Sequence, residues 1–209
     1  GRPGAATRGF PMPRLQDKVA GITGSRRGLG RAMAAAYLRE GARVMVSSRD
    51  AAAVARTVAE LGGGDRVAGA ACDVGDYRQV QGLARDAVDR LGRIDLWVNN
   101  AAVKAAYGRT FDVTAADAAR VIQTNILGTY YGSRVALGYM LIHGGGRLIN
   151  LSGRGARGPS PFQNAYAPSK AWVANFTRGL AREYAGRGVD VVLFSPGMVL
   201  TDLLTDIRV

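Results

Sequence analysis

Tyr166 and Lys170 stand four residues apart in Tyr166-Ala167-Pro168-Ser169-Lys170, so on a helix a phenol and an ammonium project from one face. A phenol with a pKa of about 10 is a weak acid–base group at neutral pH, and a neighbouring ammonium pulls that pKa toward the working range. Such a pair can hand a proton to a carbonyl oxygen or take one from an alcohol. Pro168 fits if the segment opens a helix, where the first turn has no internal partner for the N–H that proline lacks. Lysine occurs only at Lys18, Lys104 and Lys170, so the spacing is not a by-product of a lysine-rich chain. The competing interpretation is an exposed helix pair without chemistry.

A second constellation lies near the start of the chain, in Thr23-Gly24-Ser25-Arg26-Arg27-Gly28-Leu29-Gly30. It joins a β-branched run to an alanine-rich helical stretch, Arg31 to Leu38. Gly24 lets the chain turn off the strand, Gly28 lets backbone approach a pyrophosphate, and Gly30 lets the helix pack on the sheet. The first-turn amides and the positive end of the helix dipole then suit an anion. With 29 glycines in the chain, a ligand-free glycine turn is the alternative, and the strand-to-helix position argues against it.

Positioning these groups requires alternating strands and helices. Short apolar or β-branched runs at Lys18–Thr23, Arg43–Ser47, Val67–Cys72, Leu96–Asn99, Leu148–Leu151 and Val189–Phe194 predict strands. Helical spacing recurs in Val54, Val58 and Leu61, in Val80, Leu83, Ala84, Ala87, Val88 and Leu91, and in Val173, Phe176, Leu180 and Tyr184. Thr114 with Asp117 reads as a variant capping box opening a further helix that turns Val121 and Ile122 inward. The alternation predicts an α/β protein with a doubly wound parallel sheet, a Rossmann fold in three α/β/α layers. Gly62–Gly64 and Gly144–Gly146 fall where a helix ends and a strand begins, and no repeat or linker divides the chain.

The spacing T-G-x-x-x-G-x-G, together with the Tyr–Lys pair, resembles the short-chain dehydrogenase/reductase family, and the resemblance runs from about Leu15 to Thr201. It implies that Gly24, Ser25, Arg26, Arg27, Gly28, Leu29 and Gly30 bind a dinucleotide. It carries an adenine contact to Asp73, beside Val74, although a strand-end aspartate also suits a plain turn. Asn99-Asn100-Ala101-Ala102 matches the family's N-N-A-G with alanine last, which places Asn100, Ala101 and Ala102 at the cofactor. Ser195-Pro196-Gly197-Met198-Val199-Leu200-Thr201 resembles the segment around the nicotinamide, so Pro196, Gly197, Val199 and Thr201 join the cofactor set. The resemblance also implies that Tyr166 and Lys170 belong to the cofactor set, Lys170 holding the nicotinamide ribose, and that Asn125 bends a helix and holds a water in a relay to the lysine. A polar residue at a helix interface is the plainer account of Asn125. The resemblance implies that Ser152 is the carbonyl-polarising hydroxyl; the family often has two adjacent serines with the second acting, whereas here Gly153 follows, so the register is open by one, and Ser160 is the fallback.

At the end of the second strand the order is Ser47-Ser48-Arg49-Asp50. Ser48 occupies the place where a NAD enzyme puts a ribose-binding carboxylate, and Arg49 and Arg27 could pair with a 2′-phosphate, so NADP is expected over NAD. A two-residue shift would make Asp50 that carboxylate; its other role is N-cap of a helix over Ala51–Leu61.

Composition bounds the rest. The 209 residues, 47% hydrophobic and 21% charged, suit one globular domain over residues 15–209, preceded by a disordered basic tail over residues 1–14. One cysteine, Cys72, excludes an internal disulfide framework and reads as a small buried residue, and one histidine, His143, leaves no metal cluster, so no metal is expected. The net charge of +12 raises nucleic acid as a partner, but the arginines are scattered and no nucleic-acid motif is present. No membrane span or signal peptide is legible, and a cytoplasmic location is the consistent expectation. The chain stops 12 residues past Gly197, short of the lid and last strand of the resembled family, so a C-terminally incomplete domain is expected. The reading is an oxidoreductase acting on a small carbonyl or alcohol substrate, a homo-oligomer (dimer or tetramer); the alternative is a non-catalytic dinucleotide-binding sensor or scaffold.

Overall fold

The structure is a computed structural model that describes residues 13–105 and 107–197. Val199 and Thr201 lie outside the described residues. Six strands, β1 (Val19–Ile22), β2 (Arg43–Ser48), β3 (Val67–Ala71), β4 (Leu96–Asn99), β5 (Gly146–Leu151) and β6 (Val189–Phe194), form one sheet in the order β3-β2-β1-β4-β5-β6. Every pairing is parallel. The order reverses at β1, so the crevice outside the strand ends lies between the turns leaving β1 and β4.

Helices α1 (Gly28–Arg39) and α2 (Ala51–Leu61) cover one face, where Ile22, Val44, Val46 and Val98 meet Ala34, Leu38 and Val54. Helices α3 (Tyr77–Leu91), α5 (Gly128–Met140) and α6 (Tyr166–Glu183) cover the other, around Trp97, Leu148, Leu83 and Met140. The predicted α2 matches to the residue, with Asp50 accepting from the Ala53 N–H as its N-cap. Thr114 caps α4 (Ala115–Val121) by accepting from the Asp117 N–H, while its hydroxyl donates to the Asp117 carboxylate. The inward placement expected of Val121 holds, but Ile122 is 48% exposed. Helix α1 begins three residues before the expected start, inside the glycine loop, because glycines that weigh against a helix in sequence form its first turn here.

Trp97, on β4, is fully enclosed and lies against Gly21 of β1. Its indole N–H donates to Asn99 Oδ1 at 3.0 Å, and the Asn99 amide donates to Asn150 Oδ1 at 2.8 Å, to Ser133 Oγ and to the Thr129 carbonyl. Asn150 in turn donates to Thr177 Oγ1 on α6. This buried ladder satisfies its members and ties β4 and β5 to α5 and α6 beneath the C-terminal ends of the strands. Gly132 on α5 makes room for it, since a Cβ there would strike the Asn99 carboxamide oxygen.

Candidate active site

The turn leaving β1 is held from both sides. Thr23 Oγ1 accepts from the N–H groups of Asn100 and Ala101, and the Asn100 amide donates to the carbonyls of Thr23 and Gly24. Gly24 has φ +62°, and a Cβ on it would lie 2.8 Å from the Ala101 Cα. At Gly30 a Cβ would come within 2.8 Å of the Gly24 carbonyl oxygen. No side chain caps α1, so its first-turn N–H groups face the groove without an acceptor inside the helix. A backbone this close to the groove floor, with unspent amides, fits a pyrophosphate.

The groove measures about 1230 Å³ and runs along the strand ends. Its nucleotide end is lined by Gly24, Arg26, Arg27, Gly28, Leu29, Gly30, Ser48, Arg49, Asp73 and Val74. Asn100, Ala101 and Ala102 line its middle, and Ser152, Tyr166, Lys170, Pro196 and Gly197 its far end. Ala102 needs none of glycine's freedom, since among the described residues the positive-φ positions other than glycine are Asp17 and Phe162.

Among the described residues, Ser25 and Asn125 were expected at the site but are not walls of this groove. Ser25 is fully buried; its hydroxyl donates to the Ile22 carbonyl and accepts from the Ser47 N–H, and its own N–H is spent on the Ser47 carbonyl. It clamps β1 to β2 rather than offering a donor outward. Asn125 is 1% exposed in a π-helical turn, Ile122–Leu127, that joins α4 to α5. Its amide exchanges two bonds with the Val103 backbone and donates to Ser169 Oγ at 3.0 Å. Ser169 donates to the Tyr166 carbonyl at 2.6 Å, so Asn125 links the loop after β4 to the first turn of α6.

Asp73 takes the turn role, accepting from the Gly75 N–H at 2.9 Å, while still lining the groove. The Asp50 carboxylate is committed to the Ala53 N–H, and this bond holds it below the usual carboxylate range. Ser48 Oγ is tied to the Asp50 backbone. Cys72 is buried, and burial pushes its thiol up to about 12, which leaves it unreactive. Ser160 turns to the Gln163 side chain, and with Pro159, Pro161 and Phe162 it lines a separate depression. Tyr107, Val113 and Ala165 are among the residues that line the main groove instead.

Lys170 is 5% exposed and donates from Nζ to the Leu151 carbonyl at 3.1 Å. Its Nζ lies 5.8 Å from the Tyr166 ring centre. Burial lowers the Lys170 ammonium to about 8 and raises the Tyr166 phenol above its ordinary value. The downward pull on Tyr166 expected from sequence is outweighed, because the half-buried phenol loses solvation and the ammonium is turned to a backbone carbonyl. Gly153 packs against both: a Cβ there would be 3.1 Å from the Tyr166 hydroxyl and 3.3 Å from Lys170 Cγ. Thr23, Asn99, Asn150 and Ser169, which hold these groups in place, were not legible in the sequence, because isolated Thr, Asn and Ser carry no spacing signal.

Fold and groove together define a dinucleotide-binding oxidoreductase framework. The sequence profile of the short chain dehydrogenase family matches residues 18–209, and the chain belongs to that family. It is 38% identical over 192 residues to D-threitol dehydrogenase of Mycolicibacterium smegmatis, covering 91% of this chain and 73% of that protein. It is 35% identical over 190 residues to the (2S)-[(R)-hydroxy(phenyl)methyl]succinyl-CoA dehydrogenase subunit BbsD of Thauera aromatica, covering 90% and 76%. Among solved structures it superposes on 3-ketoacyl-(acyl-carrier-protein) reductase from Brucella melitensis, complexed with NADH, with TM-score 0.86 and 30% identity over 91% of this chain and 79% of that one. Among the described residues no helix is long and apolar enough to cross a membrane.

Proposed function

We propose that the chain reduces a ketone or aldehyde, reversibly to alcohol oxidation, with NADP(H) as redox partner. The observation that carries this is the convergence of Tyr166 and Lys170 on one groove whose other end is the uncapped start of α1. The nicotinamide cofactor, when bound, supplies or accepts the hydride. Tyr166, a phenol at neutral pH, gives its proton to the substrate oxygen as negative charge develops there. Lys170 stabilises the phenolate that remains, and Ser152 polarises the carbonyl. Asn125 acts through Ser169, fixing the carbonyl end of Tyr166. The test is NADPH oxidation, read at 340 nm, against a panel of ketones and aldehydes; absence of turnover across the panel rejects the reaction. In the same assay Ser152→Ala is expected to lower kcat by about 10²-fold, the scale for one donor to a developing oxyanion. An unchanged kcat removes Ser152 from the chemistry.

NADP(H) is preferred over NAD(H) because Arg26, Arg27 and Arg49 are exposed at the nucleotide end while Ser48 brings no charge. Of the carboxylates lining that end, Asp50 is occupied as a helix cap and Asp73 is bonded to the Gly75 N–H of its own turn. Arg49→Gln is expected to cut the NADPH-over-NADH ratio of kcat/KM by about tenfold, the loss of one charge-assisted pair. A ratio that does not move returns the ribose to Asp50 and the preference to NAD.

Gly153 favours a second reading, a dinucleotide-binding sensor or scaffold without turnover. The position whose side chain would face the Tyr166 hydroxyl bears none. NADPH binding, followed through Trp97 and Trp172 fluorescence, without carbonyl reduction selects that reading.

A further inference from the structure

The far end of the groove holds an unbalanced pair of cations. Lys104, in the loop after β4, places Nζ 6.0 Å from the Tyr166 ring centre, and Arg154, in the loop after β5, lines the same end. Among the described residues neither has a carboxylate within ion-pair distance. Asp117 is the acidic residue of that end, and it is already held by Arg120 at 2.8 Å and by Thr114. Arg120 also donates to the Lys104 carbonyl, which fixes the backbone that carries the lysine. Partial burial and then Arg154 lower the Lys104 ammonium from its ordinary value, so each cation makes the other costlier. Two like charges beside a reacting group, one of them partly desolvated, are relieved by an anion between them.

We propose that Lys104 and Arg154 form an anion subsite and that the substrate is an oxo acid or hydroxy acid, with a carboxylate a few bonds from the carbon that reacts at Tyr166. This rests on the assignment of the groove as a carbonyl-reducing site. The carboxylate pairs with both cations and so orients the carbonyl toward the phenol, while a neutral ketone leaves the two charges facing each other.

The probes are 3-oxobutanoate, 4-oxopentanoate and 5-oxohexanoate, each beside its methyl ester. Binding to the full chain is read by saturation-transfer NMR, and turnover is read with NADPH. At least one acid is expected to bind, and to be reduced, tenfold or more better than its ester. Lys104→Gln and Arg154→Gln are each expected to collapse that ratio several-fold, mainly through KM, and 0.5 M NaCl to weaken it. Esters that equal or exceed their acids in both readouts overturn the inference, as does a ratio that neither substitution moves. Selective binding of an acid with no NADPH consumed keeps the anion subsite and rejects the proposed reaction instead.

Discussion

Tyr166→Phe is expected to lower carbonyl reduction by about 10²–10⁴-fold, the range for a positioned general acid. The substitution removes one oxygen. That oxygen makes no hydrogen bond to the described residues, so the ring keeps its packing and the fold loses little. The glycine turn and the start of α1 lie outside the change, so NADPH titration should return nearly the wild-type Kd. Turnover that survives the substitution within a factor of about three removes Tyr166 as proton donor and leaves only a nucleotide-binding framework. A loss of both turnover and binding would instead mark Tyr166 as a wall of the nucleotide site.

Lys170→Met is expected to separate activity from stability in opposite directions. The folded-state ammonium titrates at about 8, against an ordinary lysine value of 10.5, because burial penalises the charge. Between those values the unfolded chain binds more protons than the folded one, so stability rises with pH from about 8 to 10.5 and is level on either side. Across that window the gain is about 3 kcal/mol at 1.36 kcal/mol per pH unit. At pH 7 the charged lysine therefore costs the fold close to that amount. Methionine avoids the cost and gives up the bond to the Leu151 carbonyl, worth about 1 kcal/mol. Urea denaturation at pH 7 should show the variant more stable by about 2 kcal/mol, with the rise above pH 8 flattened. Its reduction rate should fall by about 10²-fold, since nothing then stabilises the phenolate. Wild-type reduction should in turn decline above about pH 8 as Lys170 loses its proton. A variant less stable than wild type at pH 7 contradicts the charged, buried lysine.

The strands and the helix caps were largely legible in the chain. Leu96–Asn99 and Val189–Phe194 are strands to the residue, and Asp50 caps α2 where its spacing placed it. These are local matters of two- and four-residue periodicity and of side-chain oxygens beside free N–H groups, and they are written in adjacent residues. The nucleotide turn and the Tyr–Lys pair were legible for the same reason, as each falls within one short segment.

Other assignments depended on what lies across a gap in sequence. Ser25, a groove residue by position in the glycine turn, is spent on β2, because Ser47 comes alongside only once the sheet is paired. Burial outweighs charge at Tyr166, and that depends on how many atoms the fold gathers around the phenol. Gly153 lies beside the Tyr166 hydroxyl, and the charge of Arg154 acts on Lys104, across loops that belong to different strands. The sequence alone determined the order of elements, the glycine turn and the reactive pair, since short-range geometry follows from residue type and spacing. Tertiary packing alone decided which polar groups remain unspent, because a donor's partner and a charge's solvation are properties of the space around it.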